Sequence, residues 1–264
     1  MDAVQVNQGS SPIVLGLPHV GTFVPDEIAQ NFTPRGRELP DTDWHVDRLY
    51  DGLVPSVTTV QATFHRYVVD ANRDPSGVSL YPGQNTTGLV PETDFDCVPI
   101  WRTPPDAAEV EARRKAYHAV YHEALQAELD RVRAVHGVAI LYDCHSIRSV
   151  IPHLFQGILP DFNIGTNNGE TCAKAIEAAV VGVCADAKGY TSVLNGRFKG
   201  GWTTRHYGRP QDGVHAIQME LAQSTHLTDE NAGWVYAPEK AGRLRPHLKR
   251  ILETLADLAP KLKG

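Results

Sequence analysis

The sequence predicts a single α/β domain, residues 1–264, with a central mixed or mostly parallel sheet flanked by helices. Short apolar, β-branched runs alternate with helical repeats along the whole chain, the pattern of strands joined by covering helices. No internal repeat, low-complexity run or linker divides the 264 residues, a length that one domain can fold around one core. With 42% hydrophobic and 21% charged residues, the composition is that of a folded chain rather than a disordered one.

The elements are justified in order. Pro12 to Leu17 reads as a buried strand running into a Pro-His-x-Gly turn. Asp41 or Thr42 is a natural N-cap for a helix carrying Trp44, Val46, Leu49 and Leu53. "SVTTVQATFHRYVVDANRDPSG" has the β-branched density of two strands, the second over Thr63–Val69 and ending at Asp70. Ser79 to Pro105 is a long Gly/Pro/Thr-rich connection of the kind that serves as a lid or substrate loop. Asp106 to His136 is the clearest helix, with Tyr117, Val120, Tyr121, Leu125, Leu129 and Val132 at helical spacing and Gly137 as its stop. "AILYDCHSIRS", from Ala139, then starts as a core strand and turns polar. A helix over Asn168–Ala187, strands at "YTSVL" and "GVHAIQMEL", and a helix over Pro238–Leu262 with Pro246 as a kink or late start complete the chain.

A net charge of −6 supplies no field for nucleic acid or an anionic membrane, so an anionic substrate needs a positive pocket of its own. The four cysteines form no C-x-x-C pair, and three lie in or beside apolar segments, which points to a reducing compartment. "MDAVQVNQGS" has no basic start or apolar core of a signal peptide, and no apolar run has the length of a membrane span. The expectation is a cytoplasmic protein whose partner is a small molecule, with no nucleic acid and no membrane.

Ligands of open α/β sheets collect outside the carboxyl ends of the strands. The predicted strand ends carry His19, Asp70-Ala71-Asn72-Arg73, Asp143-Cys144-His145 and Glu220. Singly, each has a plain reading as a turn or strand-end polar group, with Asp70 and Asn72 capping their own backbone. Glu220 is harder to dismiss, because a carboxylate among apolar strand residues needs a partner. Together they suggest a metal-hydrolase site, with His19 and His145 as two of the three protein ligands that a catalytic zinc takes. The third is sought in the acidic helix start, where Asp43 is favoured over His45 and Asp47. His118 and His122 share helical metal-pair spacing but read as a surface pair. Ser146 and Cys144 adjoin His145 on opposite faces of a strand, which is poor geometry for a nucleophile and its base. "GRFKGGW" lacks phosphate-loop spacing.

"PHVGTFVPDEI", "DTDWHVDRLYD", "HRYVVDANRDPSG", "LYDCHSIRS" and "VHAIQMELAQSTH" together resemble the N-formylglutamate amidohydrolase (deformylase) family of histidine degradation, over about residues 11 to 230. That family is similar to zinc carboxypeptidases and aspartoacylases, with a phosphorylase/hydrolase-like α/β fold. The resemblance implies that His19 and His145 are zinc ligands, Asp143 orients His145, Glu220 activates water, and Asn72 and Arg73 bind substrate carboxylate or polarise the scissile carbonyl. The chain departs from the wider group's His-x-x-Glu, since Thr22 stands three residues after His19; the carboxylate ligand must come from elsewhere, with Asp43 the first choice. A substrate with two carboxylates asks for further bidentate donors, for which Arg197 and Arg205 come first, with Arg102 and Arg148 behind. The implied reaction is hydrolysis of N-formyl-L-glutamate to glutamate and formate. The rivals are a zinc hydrolase for another acidic N-acyl amino acid and a non-catalytic sensor of an acidic metabolite.

Overall fold

The fold is described from a computed structural model, for residues 1–79, 83 and 86–262. Seven strands form one sheet in the order β1-β3-β2-β4-β7-β5-β6. They are β1 (Val4–Asn7), β2 (Ile13–Leu17), β3 (Thr58–Ala62), β4 (Ala139–Ile147), β5 (Phe162–Gly165), β6 (Ser192–Leu194) and β7 (Val214–Ala222). The inner strands β3, β2, β4 and β7 run parallel, whereas β1 and β5 pair antiparallel with β3 and β7. The α/β class with a mixed sheet is therefore as the sequence predicts.

β4 and β7 pair over their full lengths, and every residue of both is buried. Burial on both faces explains their nearly continuous apolar sequence, and the two-residue period then sorts side chains by face. Ile140, Tyr142, Cys144, Ile217, Met219 and Leu221 pack toward α3 (Val46–Tyr50), α6 (Lys174–Ala185) and α8 (Pro238–Leu258). Leu141 and Ala216 pack the other way, against α5 (Ala119–His136), with Tyr207 of α7 (Trp202–Tyr207) in the same cluster. By the same alternation Asp143, His145, Gln218 and Glu220 point to the α5–α7 face, where the apolar rows end and polar ones begin. Each fully buried Leu or Ile of α8, such as Leu248 or Ile251, adds about 1.5–3 kcal/mol of transfer free energy.

The helix predicted over Asp106–His136 is one rod in three parts: α4 (Ala107–Arg113), a π turn (Arg114–His118) and α5. Asp106 caps it by accepting Glu109 N–H, and Gly137 ends it at φ 74°. Pro246 lies inside α8 without ending it.

β1 forms as an edge strand where the sequence predicts no element. Two expectations need correction. Thr63–Val69 is no strand: after the Phe23–Phe64 bridge the chain turns, with His65 Nδ1 accepting Tyr67 N–H and His65 O accepting Val68 N–H. Its aromatic and β-branched residues fill the core from a loop. The helix expected over Asn168–Ala187 starts at Lys174, because Asn167, Asn168 and Gly169 all hold positive φ.

Of the proposed Ser79–Pro105 lid, residues 80–82 and 84–85 lie outside the described residues. Much of the rest is tied down: Leu89 O accepts Asp70 N–H, Asp94 pairs with Arg35, and Asp41 accepts Phe95 N–H. Among the described residues no helix is long and apolar enough to cross a membrane.

Candidate active site

The carboxyl ends of β2, β4 and β7 lie side by side, and β4 sets His145 directly opposite Glu220 of β7. His19 follows β2 by two residues, and its carbonyl accepts Asp43 N–H, which draws the Asp41–Asp43 turn onto the sheet end. The three side chains His19, Asp43 and His145 are buried, and one donor atom from each lies within 4.8 Å of the others.

Both rings are held in the same sense. His19 Nε2 lies 2.7 Å from Asp70 Oδ1, and its Nδ1 faces Asp43 Oδ2 at 3.7 Å. His145 Nε2 lies 3.1 Å from Asp143 Oδ1, and its Nδ1 faces the same Asp43 oxygen at 3.2 Å. The hydrogen bond to Asp70 favours the His19 tautomer with the proton on Nε2 and leaves its Nδ1 lone pair toward Asp43, while at His145 the Asp143 carboxylate and the Asn72 amide nitrogen, 3.2 Å away, both face Nε2. A tetrahedral zinc with bonds of about 2.1 Å sets its donors about 3.4 Å apart. The two Asp43 distances bracket that value, and three donors are the number a catalytic zinc takes from protein, so this N, N, O set suits zinc.

Asp43 Oδ2 also accepts Ser146 N–H, and Arg66 bridges the carboxylates, 3.8 Å from Asp43 Oδ1 and 2.7 Å from Asp70 Oδ2. Burial pushes the Asp43 carboxyl up, but hydrogen bonds from His145 and His19 outweigh it and hold the group below the usual range. Burial likewise opposes ionisation of Asp70, and the charges of Arg66, Arg73 and His19 prevail, keeping it well below. At His145 burial opposes the cation, yet Asp143 and Asp43 raise it well above an ordinary imidazole. The centre attracts a cation, and a proton and a divalent metal compete for it.

Glu220 is the exception among these carboxyls. Burial, reinforced by the Asp43 charge, pushes it up to about 8 against the pull of His145 and Arg66. It sits 7% exposed beside Gln218, whose Nε2 donates to Glu220 Oε2 and whose Oε1 accepts Gly201 N–H. Asn72 Nδ2 lies 3.2 Å from His145 Nε2, and Asn72 Oδ1 accepts Thr203 N–H. A Cβ on Gly201 would stand 2.3 Å from Asn72 Nδ2. The glycine-rich "KGGW" thus lets backbone reach Asn72 and Gln218.

These groups line a cleft of about 600 Å³, open to solvent, which also takes in Arg73 and Arg197. Arg73 Nε and Nη2 donate to Thr87 O and Oγ1, while Arg197 Nε donates to Leu154 O. Arg205 is not among the residues lining this cleft: Thr203 and Thr204 take the buried positions of short α7, and Arg205 Nε donates to Gly200 O. Arg102 is exposed, and Arg148 is paired with Asp96 outside the cleft lining. Asp47 is exposed, and His45 turns its Nε2 to Trp234 O. Cys144 is buried on the far face, donating to Tyr142 O, with its thiol pushed well up by burial.

Sequence reasoning misses Arg66, Gln218 and the orienting role of Asp70. Arg66 is hidden by the strand assignment over Thr63–Val69. Gln218 could have been found, since it stands two residues before Glu220 on a strand and so shares its face. His118 and His122 are not a surface pair: both are buried behind the Ala71–Arg73 backbone.

The N-formylglutamate amidohydrolase family matches residues 11–227. An N-formylglutamate deformylase of Pseudomonas aeruginosa is 44% identical over 257 residues, 96% of each chain, and one of Pseudomonas putida is 43% identical over 97% of this chain and 96% of its own. The crystal structure of N-formylglutamate amidohydrolase from Ralstonia eutropha JMP134 superposes with a TM-score of 0.82 at 26% identity over 99% of both chains. Gene product Atu2144 from Agrobacterium tumefaciens shares the fold, with a TM-score of 0.74 at 18% identity over 98% of this chain and 96% of its own. Matched over most of its length and aligned nearly end to end with relatives at this identity, the chain belongs to the N-formylglutamate amidohydrolase family.

Proposed function

We propose that this protein is a metal-dependent N-formylglutamate deformylase, hydrolysing N-formyl-L-glutamate to L-glutamate and formate, a reaction of histidine degradation. The observation that carries the reading is the placement of Glu220, a buried carboxyl that stands opposite His145 and shares one cleft with the His19–Asp43–His145 donor set. The relatives named for that activity support the substrate.

His19, Asp43 and His145 would hold the ion, for which zinc suits the donors. When bound, such an ion polarises a carbonyl and lowers the pKa of water to about 7. The residues of the chain do the rest. Glu220 takes the proton of the attacking water and later gives it to the leaving nitrogen, so the C–N bond breaks with formate and a free amine as products. Arg73 presents its guanidinium to the oxygen on which charge develops, and Asn72, fixed by Thr203 N–H, orients the same carbonyl. Arg197, at the Leu154–Phe198 side of the cleft, takes a substrate carboxylate.

The test is formate release from N-formyl-L-glutamate by purified protein, before and after chelation and after zinc is restored. Release that stops on chelation and returns with zinc is the expected result. Release indifferent to chelation removes the metal, and acetate release from N-acetyl-L-aspartate at the greater rate removes the substrate.

A further inference from the structure

The turn that presents Asn72 and Arg73 to the cleft is held from behind. Its three successive carbonyls are each satisfied by a side chain: His122 Nε2 lies 2.7 Å from Ala71 O, Arg73 Nη1 donates to Asn72 O, and His118 Nε2 lies 3.0 Å from Arg73 O. A carbonyl only accepts, so each Nε2 carries its hydrogen. Tyr207 O–H then has two acceptors on the same residue, His122 Nδ1 at 3.0 Å and His122 O at 3.2 Å. On the other side of the turn Asp70 accepts Asn72 N–H.

The two histidines stand four residues apart on one rod, with ring centroids 4.4 Å apart. His118 is the last residue of the π turn, Arg114–His118. Such a turn carries one residue more than an α turn and so rotates the following helix by about 100°. Four residues apart, both imidazoles face the Ala71–Arg73 backbone from the side of the rod that also carries Leu125 and Leu129. Trp202 closes the cluster at 4.6 Å from the His122 ring, and its neighbour Thr203 is the residue whose N–H holds Asn72. Burial lowers the pKa of both imidazoles, that of His122 to about 3, so near neutrality each is an uncharged donor.

We propose that His118, supported by His122, is a positioning residue for the reaction: its bond to Arg73 O fixes the backbone from which the Arg73 guanidinium reaches the substrate. The inference rests on the deformylase reading for Arg73. A displacement well under 1 Å at a charge-stabilising group changes rate because the electrostatic contact is made in the transition state.

The experiment is a double-mutant cycle with a structural readout. His118→Phe keeps the ring and removes the donor, and His118→Gln restores a donor at similar reach. Formate release from N-formyl-L-glutamate is measured for His118→Phe in the parent and in an Arg73→Lys background, with metal content and amide exchange over residues 71–74. His118→Phe should lower kcat/KM about tenfold in the parent, mostly in kcat, and less than twofold beside Arg73→Lys, with metal content unchanged. His118→Gln should recover to within about threefold of the parent, and exchange over 71–74 should rise in His118→Phe alone. Equal losses in both backgrounds, or unchanged exchange, overturn the proposal. Should His118→Phe not fold, His118→Leu makes the same comparison. A parent that releases no formate defeats the deformylase reading, and exchange then decides the positioning claim by itself.

Discussion

Replacing Asp70 by Asn changes one atom and removes one charge at a fully buried position. Oδ1 accepts from His19 Nε2 at 2.7 Å and from Asn72 N at 2.8 Å, while Oδ2 accepts from Arg66 Nη2 at 2.7 Å. Every partner is a donor. An asparagine must therefore turn its NH₂ either toward Arg66 or toward His19 and Asn72, and in both orientations two donors meet. The charge-assisted bond to Arg66 is worth about 1.5–3 kcal/mol, and leaving a buried guanidinium short of its counter-charge brings the loss to about 3–5 kcal/mol. His19 also loses the carboxylate that fixes its tautomer, which weakens metal binding by about 10–100-fold. Urea unfolding of metal-free protein measures the first effect, and competitive zinc titration measures the second. A variant with parental zinc affinity and stability within about 0.5 kcal/mol would refute the role given to Asp70.

Glu220→Gln should retain metal but lose at least about 10²-fold in kcat, the scale of general-base loss, as read by formate release; turnover near the parent's would sink the base assignment. Arg197→Ala should raise KM for N-formyl-L-glutamate about tenfold or more while Arg205→Ala leaves it within twofold, since Arg197 lines the cleft and Arg205 does not; the reverse order in steady-state kinetics would reject the geometry. His226 is buried with Nε2 on Trp44 O, and burial pushes it to about 4. Its neutral form thus contributes stability that is complete above the unfolded value of about 6.5 and is lost as pH falls toward 4, up to about 3 kcal/mol. Urea unfolding at pH 7 and pH 4.5 should show that loss reduced in His226→Gln, and parallel pH dependence of the two proteins would contradict it.

The sheet and its long helix were legible because their periods are strong: nine buried residues in each of β4 and β7 and a regular stripe on Asp106–His136. Strand-end reasoning places His19, His145 and Glu220 beside one cleft, as the structure does, because parallel strands bring their carboxyl ends together whatever the connections do. Asp43 was legible only as one of several acidic positions, since the His19 O to Asp43 N–H bond that selects it is a tertiary contact. Arg66 and His118 escaped for a related reason. A β-branched run can fill a core from a loop, and His118, although at helical spacing with Leu125 and Leu129, is a polar residue whose burial depends on the distant Arg73 carbonyl.

β7 follows β5 and β6 in the chain yet lies between β4 and β5 in the sheet. Until Val214–Ala222 has left the ribosome, β4 keeps an open edge, and the cleft lacks Gln218 and Glu220. Folding therefore waits on an insertion between strands already made, a step of long loop closure that slows assembly and exposes apolar edge to other nascent chains. A chain ending before β7 would be an aggregation-prone sheet rather than a weak enzyme, and demand on chaperones during synthesis falls on the interval between β4 and β7.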